Sequence, residues 1–201
     1  MNPHFVKYVI SLYQDVPKSV YVNLLAVFFL GAVLIVTIKG YRNSWQYVIG
    51  LLLGEYVSLI YCSTVIFRKL SETAKHDFTP FWSYVAIYGG RNDILRESIM
   101  NVVAFVPVGL LLWFVFRGRK IWQALAVGLG ISVTVEVLQY VLKRGFAEFD
   151  DVFHNTLGCL IGFVIVAFLK GIWDFCSHLC VLQWGRSRSD ISDVRGKICK
   201  I

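Results

Sequence analysis

One apolar stretch of the sequence carries a stripe of small and polar residues. Gly128, Ser132, Glu136 and Gln139 recur at i, i+4, i+8 and i+11, so they share one face of a helix. A charged group inside a membrane span costs several kcal/mol unless it is paired or hydrated, and it is a functional candidate by default. Glu136 is therefore the first residue in which we expect chemistry or ligand binding.

The next apolar stretch repeats the stripe in mirror order. Asp151, Asn155, Gly158 and Gly162 recur at i, i+4, i+7 and i+11, and the two glycines permit close approach of a neighbouring helix. About ten residues separate the two stretches, so we expect two antiparallel helices. Their polar halves should then face each other at one membrane boundary.

The connector between these stretches and the preceding apolar stretch add further polar residues at that boundary. The predicted ligand-binding cluster consists of Asn101, Glu136, Gln139, Arg144, Glu148, Asp150, Asp151 and Asn155. Its acids outnumber the neighbouring bases, and crowded carboxylates share a proton or bind a cation. Either state suits acid–base chemistry, with Glu136, Asp151 and Arg144 as candidate catalytic residues. The alternative is a buried polar network that keeps the helices in register.

Two weaker candidates lie near these stripes. Glu55 lies inside an earlier apolar stretch, where it either joins the cluster or bonds to a neighbouring helix. His154 lies beside Asn155 and is either a proton carrier or a structural residue. No spacing in the sequence specifies a metal, and the cofactor remains open.

Five apolar segments position these residues. The chain has 201 residues, of which 57% are hydrophobic and only 16% charged, whereas soluble domains contain about 25% charged residues. About 20 apolar residues suffice for one membrane crossing. The predicted spans are residues 20–38, 45–67, 98–116, 121–142 and 152–169. The fold class is therefore all-α, a polytopic membrane helical bundle of about five transmembrane helices.

The segments outside these spans complete the predicted organisation. Residues 1–19 form an N-terminal interfacial segment with helical spacing of apolar residues. Residues 20–170 form the transmembrane domain, and residues 171–201 form a helix end and a basic, disordered tail from Gly185. The connector of residues 68–97 is polar but rich in aromatic residues, and we expect it to pack back on the membrane surface.

Basic residues set the expected orientation. The short connector R-G-R-K, residues 117–120, contains no acid and is a strong cytoplasmic signal under the positive-inside rule. The C-terminus is then cytoplasmic, and the polar cluster opens to the outer face. The net charge of +7 serves topology and contact with membrane lipid rather than nucleic acid, which is not an expected partner.

Several motifs in the right order resemble the VanZ-like family of membrane proteins. Residues 101–109, N-V-V-A-F-V-P-V-G, resemble that family's N-xxx-F-x-P-x-G element. Residues 132–139, S-V-T-V-E-V-L-Q, then Arg144, then residues 148–162 resemble the rest of the pattern, and residues 77–81, D-F-T-P-F, resemble its earlier N-L-x-P-F element. Glu148 departs from the pattern, because the family has Asp there.

The resemblance implies a bacterial plasma-membrane protein of the cell envelope that is associated with resistance to the lipoglycopeptide antibiotic teicoplanin. Its expected partners are membrane lipid and either a lipid-linked peptidoglycan precursor or the lipoglycopeptide itself. One alternative is an intramembrane enzyme acting on a lipid-linked envelope substrate, with Glu136 or Asp151 as base and Arg144 holding a phosphate. Another is a small transporter that uses Glu55, Glu136 and His154 as a proton relay.

Overall fold

Long helices dominate the chain. The structure, a computed structural model, describes residues 16–118 and 120–198, and for residues 41–43 and 179–198 it describes the backbone alone. In chain order the elements are α1 (Lys18–Lys39), α2 (Tyr41–Tyr61), a π-helical turn (Cys62–Ile66), β1 (His76–Asp77), α3 (Trp82–Tyr88), α4 (Asn92–Val115), α5 (Ile121–Leu142), β2 (Ala147–Glu148) and α6 (Phe149–Ile198).

Five helical segments are long and apolar enough to cross a membrane: Lys18–Lys39, Ser44–Ile66, Asn92–Val115, Ile121–Leu142 and Phe149–His178. Each overlaps one of the five predicted spans, and two of them end one residue earlier than predicted. The prediction of an all-α bundle with five transmembrane helices is confirmed. The third spanning helix, α4, begins at Asn92, six residues before the predicted span. A helix can continue beyond its apolar part where polar residues suit the membrane boundary.

Backbone-to-backbone packing joins α4 to α6. A Cβ atom on Gly158 would lie 2.1 Å from the Val102 carbonyl oxygen, and one on Gly162 would lie 2.0 Å from the Val106 oxygen. On the facing helix, a Cβ on Gly109 would lie 1.8 Å from the Cys159 oxygen. These positions require glycine, as the small-residue spacing predicted.

The same region of α6 also contacts α5. A Cβ on Gly128 would lie 2.8 Å from the Cys159 Cβ atom, and the Cys159 thiol donates to the Ala124 oxygen at 3.3 Å. Cys159 is fully buried in a core that includes Phe105, Val108 and Leu112 of α4. Three helices thus converge on one small side chain, which fixes the depth of α5 and α6 relative to α4.

The connector between α2 and α4 is more ordered than a surface loop. His76 and Asp77 of β1 pair in parallel with Ala147 and Glu148 of β2, so the connector is tied to the loop between α5 and α6. The short helix α3 follows, with Ser83 buried. Strands of two residues have no periodicity that a sequence could reveal, so this contact was not predicted.

The chain divides into two units, and the predicted terminal segments fall at its two ends. The first unit of the chain ends at Val164 and holds all the residues of the predicted cluster. The second begins at Ile165, and its backbone is helical to Ile198, where the sequence predicted a helix end and, from Gly185, a disordered tail. The sequence contains no proline after Pro107, and nothing interrupts the helical backbone. The predicted interfacial segment lies mostly outside the described residues, since these begin at residue 16.

Candidate functional site

Three carboxylates come together where α5, β2 and α6 meet. Glu136 is 6% exposed, and its Oε2 atom accepts the Glu148 backbone N–H at 2.9 Å. Asp151 lies in the first turn of α6, close enough to interact electrostatically with Glu136 and with the Asn101 side chain beside it. Four residues of the predicted cluster therefore do assemble, and we call Glu136, Glu148, Asp151 and Asn101 the carboxylate centre.

Glu148 lies outside the spanning helices, and its pKa reflects the burial and the negative charges of this centre. Burial, together with the charges of Asp151, Glu97 and Asp150, raises the pKa of Glu148 to about 8. The Trp82 side chain opposes this rise of the pKa, although its Nε1 atom has no partner within normal hydrogen-bond geometry. At neutral pH the Glu148 carboxyl is therefore largely protonated and available as a proton donor.

A cavity of about 220 Å³ opens beside the carboxylate centre. Its lining residues are Phe78, Val133, Glu136, Val137, Tyr140, Glu148, Phe149 and Val152. Six of the eight are apolar or aromatic, and several of them are 41–52% exposed along the spanning helices. The cavity therefore offers an apolar wall with Glu136 and Glu148 as its acidic residues. The other predicted ligand residues do not line it.

Asp150 has a different role from the other acids. Its carboxylate is 1% exposed and accepts the Phe81 N–H at 2.6 Å, the Ser83 N–H at 2.9 Å and the Ser83 hydroxyl at 2.5 Å. These donors belong to the first turn of α3, whose N–H groups have no partner within the helix. Phe81 has a left-handed conformation with φ of 62°, which costs about 1–2 kcal/mol, and the bonds to Asp150 offset this cost.

His154 and the aromatic residues of the connector extend this contact. The His154 Nε2 atom lies 3.1 Å from the Tyr84 hydroxyl, and the Phe81 and Phe153 rings meet edge to face at 5.9 Å. Burial raises the pKa of Tyr84, and the negative charge of Asp150 contributes to the same rise. The Tyr84 hydroxyl is therefore neutral. His154 therefore contributes to the packing of α3 against α6, which agrees with the structural interpretation of this residue.

Gln139 and Arg144 bind the π-helical turn rather than the acids. The Gln139 Nε2 atom donates to the Thr64 oxygen at 3.0 Å. Arg144 donates to the Ile66 oxygen and, at 3.2 Å, to the Arg68 oxygen. The Thr64 and Ile66 carbonyls belong to the π-helical turn after α2, which leaves main-chain groups without their usual helical partners, and Arg68 follows that turn. Among the described residues, no acid lies within ion-pair distance of Arg144.

Asn155 and Glu55 complete the set of candidates. Asn155 donates to the Ser132 hydroxyl at 2.9 Å, so the polar halves of α5 and α6 do face each other, as the mirrored stripes predicted. Glu55 lies in α2, and its buried Oε2 atom has no hydrogen-bond partner among the described residues. No described contact joins Glu55 to the carboxylate centre.

The residues that sequence reasoning missed are Ser83, Trp82 and Glu97. Ser83 binds Asp150, and the other two contribute to the environment of Glu148. The P-F-W-S run that begins at Pro80 was a usable signal, because a serine near the start of a helix often forms a side-chain hydrogen bond there. Within the described part of the chain, no group of three or more His, Cys, Asp or Glu residues is placed to hold a metal ion.

Comparison with known proteins identifies the family. The profile of the VanZ/LLP1 family matches residues 56–170, which include the carboxylate centre. Protein VanZ of Enterococcus faecium is 37% identical over 67 residues. The match covers 33% of this chain and 42% of that relative. No solved structure gives a significant match. The chain is therefore a multi-pass helical membrane protein that belongs to the VanZ/LLP1 family.

Proposed function

We propose that this protein reduces the action of teicoplanin at the outer leaflet of the bacterial plasma membrane. The observation that carries the proposal is the cavity lined by Glu136 and Glu148. Family membership supports the association with glycopeptide resistance. Because the match covers less than half of the curated relative, the activity of that relative remains a proposal for this chain.

The cavity suits part of an amphiphile rather than a whole glycopeptide. Its volume of about 220 Å³ is below the roughly 300–1,000 Å³ of pockets that enclose a drug-sized ligand. Val137 and Phe149 are about half exposed beside it, so an acyl chain could enter from the lipid. Glu136 and Glu148 would then meet the polar end of that ligand. A lipoglycopeptide and a lipid-linked peptidoglycan precursor both combine these two features.

The expected orientation places this cavity at the outer face. The carboxylate centre lies at the α5–α6 connector, and the sequence between α4 and α5, at the opposite ends of these helices, has three bases and no acid. The positive-inside rule favours cytoplasmic placement of that basic connector. Teicoplanin acts from outside the cell, so an outward cavity is a requirement of this proposal.

Expression of the chain in a teicoplanin-sensitive host tests the proposed function. We expect tolerance to teicoplanin to rise several-fold and tolerance to vancomycin, which lacks the acyl chain, to rise less. Glu136→Gln should remove the teicoplanin effect. Glu55→Gln is the matched control, because it makes the same change at a glutamate of a spanning helix that does not line the cavity. Equal shifts for both antibiotics, or none, would count against the proposal.

An intramembrane enzyme is the second candidate, and the protonation of Glu148 favours it. A carboxyl group with a pKa of about 8 beside Asp151 suits proton transfer at neutral pH. Arg144, which binds carbonyl oxygens of the connector, is not placed to hold a phosphate at this centre. Incubation of the purified protein with lipid-linked envelope precursors tests the candidate: a new product that Glu148→Gln abolishes would support it, and an unaltered lipid profile would exclude it for those substrates.

A further inference from the structure

A second cavity lies at the opposite end of the bundle from the carboxylate centre. It has a volume of about 420 Å³ and is lined by Gln46, Val115, Phe116, Arg117, Lys120 and Gln123. These residues belong to the start of α2, the end of α4 and the start of α5. The proposed function makes no use of this cavity.

The turn after α4 positions Arg117 at the cavity. The Gly118 N–H donates to the Trp113 oxygen at 2.8 Å, and Gly118 has a φ of +64°, which glycine adopts readily. Arg117 itself has a φ of +55°, a conformation that is unfavourable for a residue with a Cβ atom. A strained residue is more often found where a side chain must be held in a defined place.

A glutamine from α2 holds the Arg117 side chain. The Gln46 Oε1 atom accepts Arg117 Nε at 3.2 Å and Nη2 at 2.7 Å. The Gln46 Nε2 atom donates to the Val115 oxygen at 2.9 Å. The guanidinium group is thus oriented without a carboxylate partner, and its Nη1 atom has no hydrogen bond to a described residue. A group in this state keeps its full charge for a ligand.

Acidic residues are missing from the segments that form this end of the bundle. Residues 16–54 and residues 98–135 contain neither Asp nor Glu. The ion pairs within the described part of the chain are Arg91–Asp93 and Lys170–Asp174, so neither Arg117 nor Lys120 has an acidic partner there. The cavity is therefore positively charged, and an anion is the occupant that its charge favours.

Aromatic residues place the cavity at the level of lipid headgroups. Trp122 is 57% exposed and Tyr47 is 54% exposed, and Trp and Tyr are typical of the membrane boundary. Lys120 Nζ lies 5.8 Å from the centre of the Trp122 ring, and Lys39 Nζ lies 5.3 Å from that of Tyr47. Basic cavities between spanning helices bind anionic headgroups, and arginine suits the geometry of a phosphate group.

We propose that this cavity is a binding site for the phosphate group of an anionic phospholipid, with Arg117 and Lys120 as the basic ligands. The lipid chains lie along the apolar ends of α4 and α5. The site ties together the ends of three helices, because α2, α4 and α5 all contribute lining residues. Bound lipid therefore stabilises the folded protein.

Thermal unfolding of the purified full chain in detergent micelles tests this proposal. The probes are short-chain phosphatidylglycerol, phosphatidylcholine of the same chain length, and inorganic phosphate. We expect phosphatidylglycerol to raise the unfolding temperature by several degrees and the other two to leave it nearly unchanged. An equal rise with phosphatidylcholine would show that the headgroup charge is not recognised. An equal rise with inorganic phosphate would show a soluble-anion site instead of a lipid site.

Two variants and a control locate the effect. Lys120→Gln should reduce the shift with phosphatidylglycerol and leaves the Gln46–Arg117 contact in place, so its folding is not in question. Arg117→Gln should reduce the shift further. Arg91→Gln removes a base at the other boundary and should retain the full shift. A shift that persists in the double variant Arg117→Gln/Lys120→Gln would overturn the proposal.

Discussion

The Asp150 carboxylate accepts two hydrogen bonds from Ser83, one from its backbone N–H at 2.9 Å and one from its hydroxyl at 2.5 Å. Ser83 lies at the start of α3 and Asp150 at the start of α6, 67 residues apart in sequence. This contact explains why the long connector is ordered above the carboxylate centre. Asp150 is thus a positioning residue, although its type and place in the sequence suggested a ligand.

Asp150→Asn should therefore loosen the connector. The amide keeps the shape of the side chain but presents an NH₂ group where an acceptor is needed, and an unsatisfied buried group costs about 1–3 kcal/mol. We expect a lower unfolding temperature in detergent and faster hydrogen exchange in residues 82–88. The control is Asp93→Asn, whose carboxylate is exposed and paired with Arg91, and it should change neither quantity. Unchanged exchange in Asp150→Asn would contradict the positioning role.

The glycine contacts between α4 and α6 predict a second effect on stability. Gly162→Ala would place a Cβ atom 2.0 Å from the Val106 oxygen, so the helices must separate, and overpacking of this kind costs about 1–3 kcal/mol. Gly130→Ala on α5 meets nothing within 4 Å and should be neutral or slightly stabilising, because alanine favours the helix. Thermal unfolding of the two variants in the same detergent compares them. Equal unfolding temperatures would mean that α4 and α6 do not pack as closely as described.

The pKa of Glu148 predicts a pH dependence of stability. Burial raises it from 4.5 to about 8, so the folded state binds a proton that the unfolded state releases. The resulting stabilisation is fully present below pH 4.5 and is lost as the pH rises through about 8. Glu148→Gln resembles the protonated form, and its stability should lack this loss.

Unfolding temperatures at pH 5 and pH 8.5 test this dependence. Wild type and Glu148→Gln should be similar at pH 5, and the variant should be the more stable at pH 8.5. Glu72→Gln, which changes an exposed glutamate of the connector between α2 and α4, should follow the wild type at both values. A difference between wild type and Glu148→Gln that is constant with pH would contradict the assignment of the proton to Glu148.

The sequence predicted the helices and their facing surfaces well because both depend on local patterns. Apolar length defined the five spans, and the spacing of Gly158 and Gly162 identified the face that packs on α4. Side-chain partners depend on two connectors, each of which contains a strand of only two residues. For this reason the sequence grouped Arg144 with the acids, whereas the guanidinium group binds the Ile66 and Arg68 carbonyls after α2. Whether Arg144 pairs with the acids or donates to backbone carbonyls depends on contacts between residues that are distant in sequence.

The expected orientation of the chain rests on its basic connector, and a labelling experiment tests it. Tyr88, the last residue of α3, is 96% exposed, and we expect Tyr88→Cys to react with a membrane-impermeant thiol reagent added to intact cells. Arg186→Cys should react only after the cells are opened. The unsubstituted chain provides the background from the native cysteines. Labelling of Arg186→Cys in intact cells would contradict a cytoplasmic C-terminus and an outward cavity.

The most direct test of the central claim is to fill the cavity beside Glu136. Val137→Trp places a large apolar side chain into it. Val141→Trp makes the same change one helical turn away, at a lipid-facing position that does not line the cavity. At equal expression in a sensitive host, we predict that Val137→Trp loses tolerance to teicoplanin and Val141→Trp retains it. Full tolerance in Val137→Trp would contradict the claim that this cavity acts on the antibiotic.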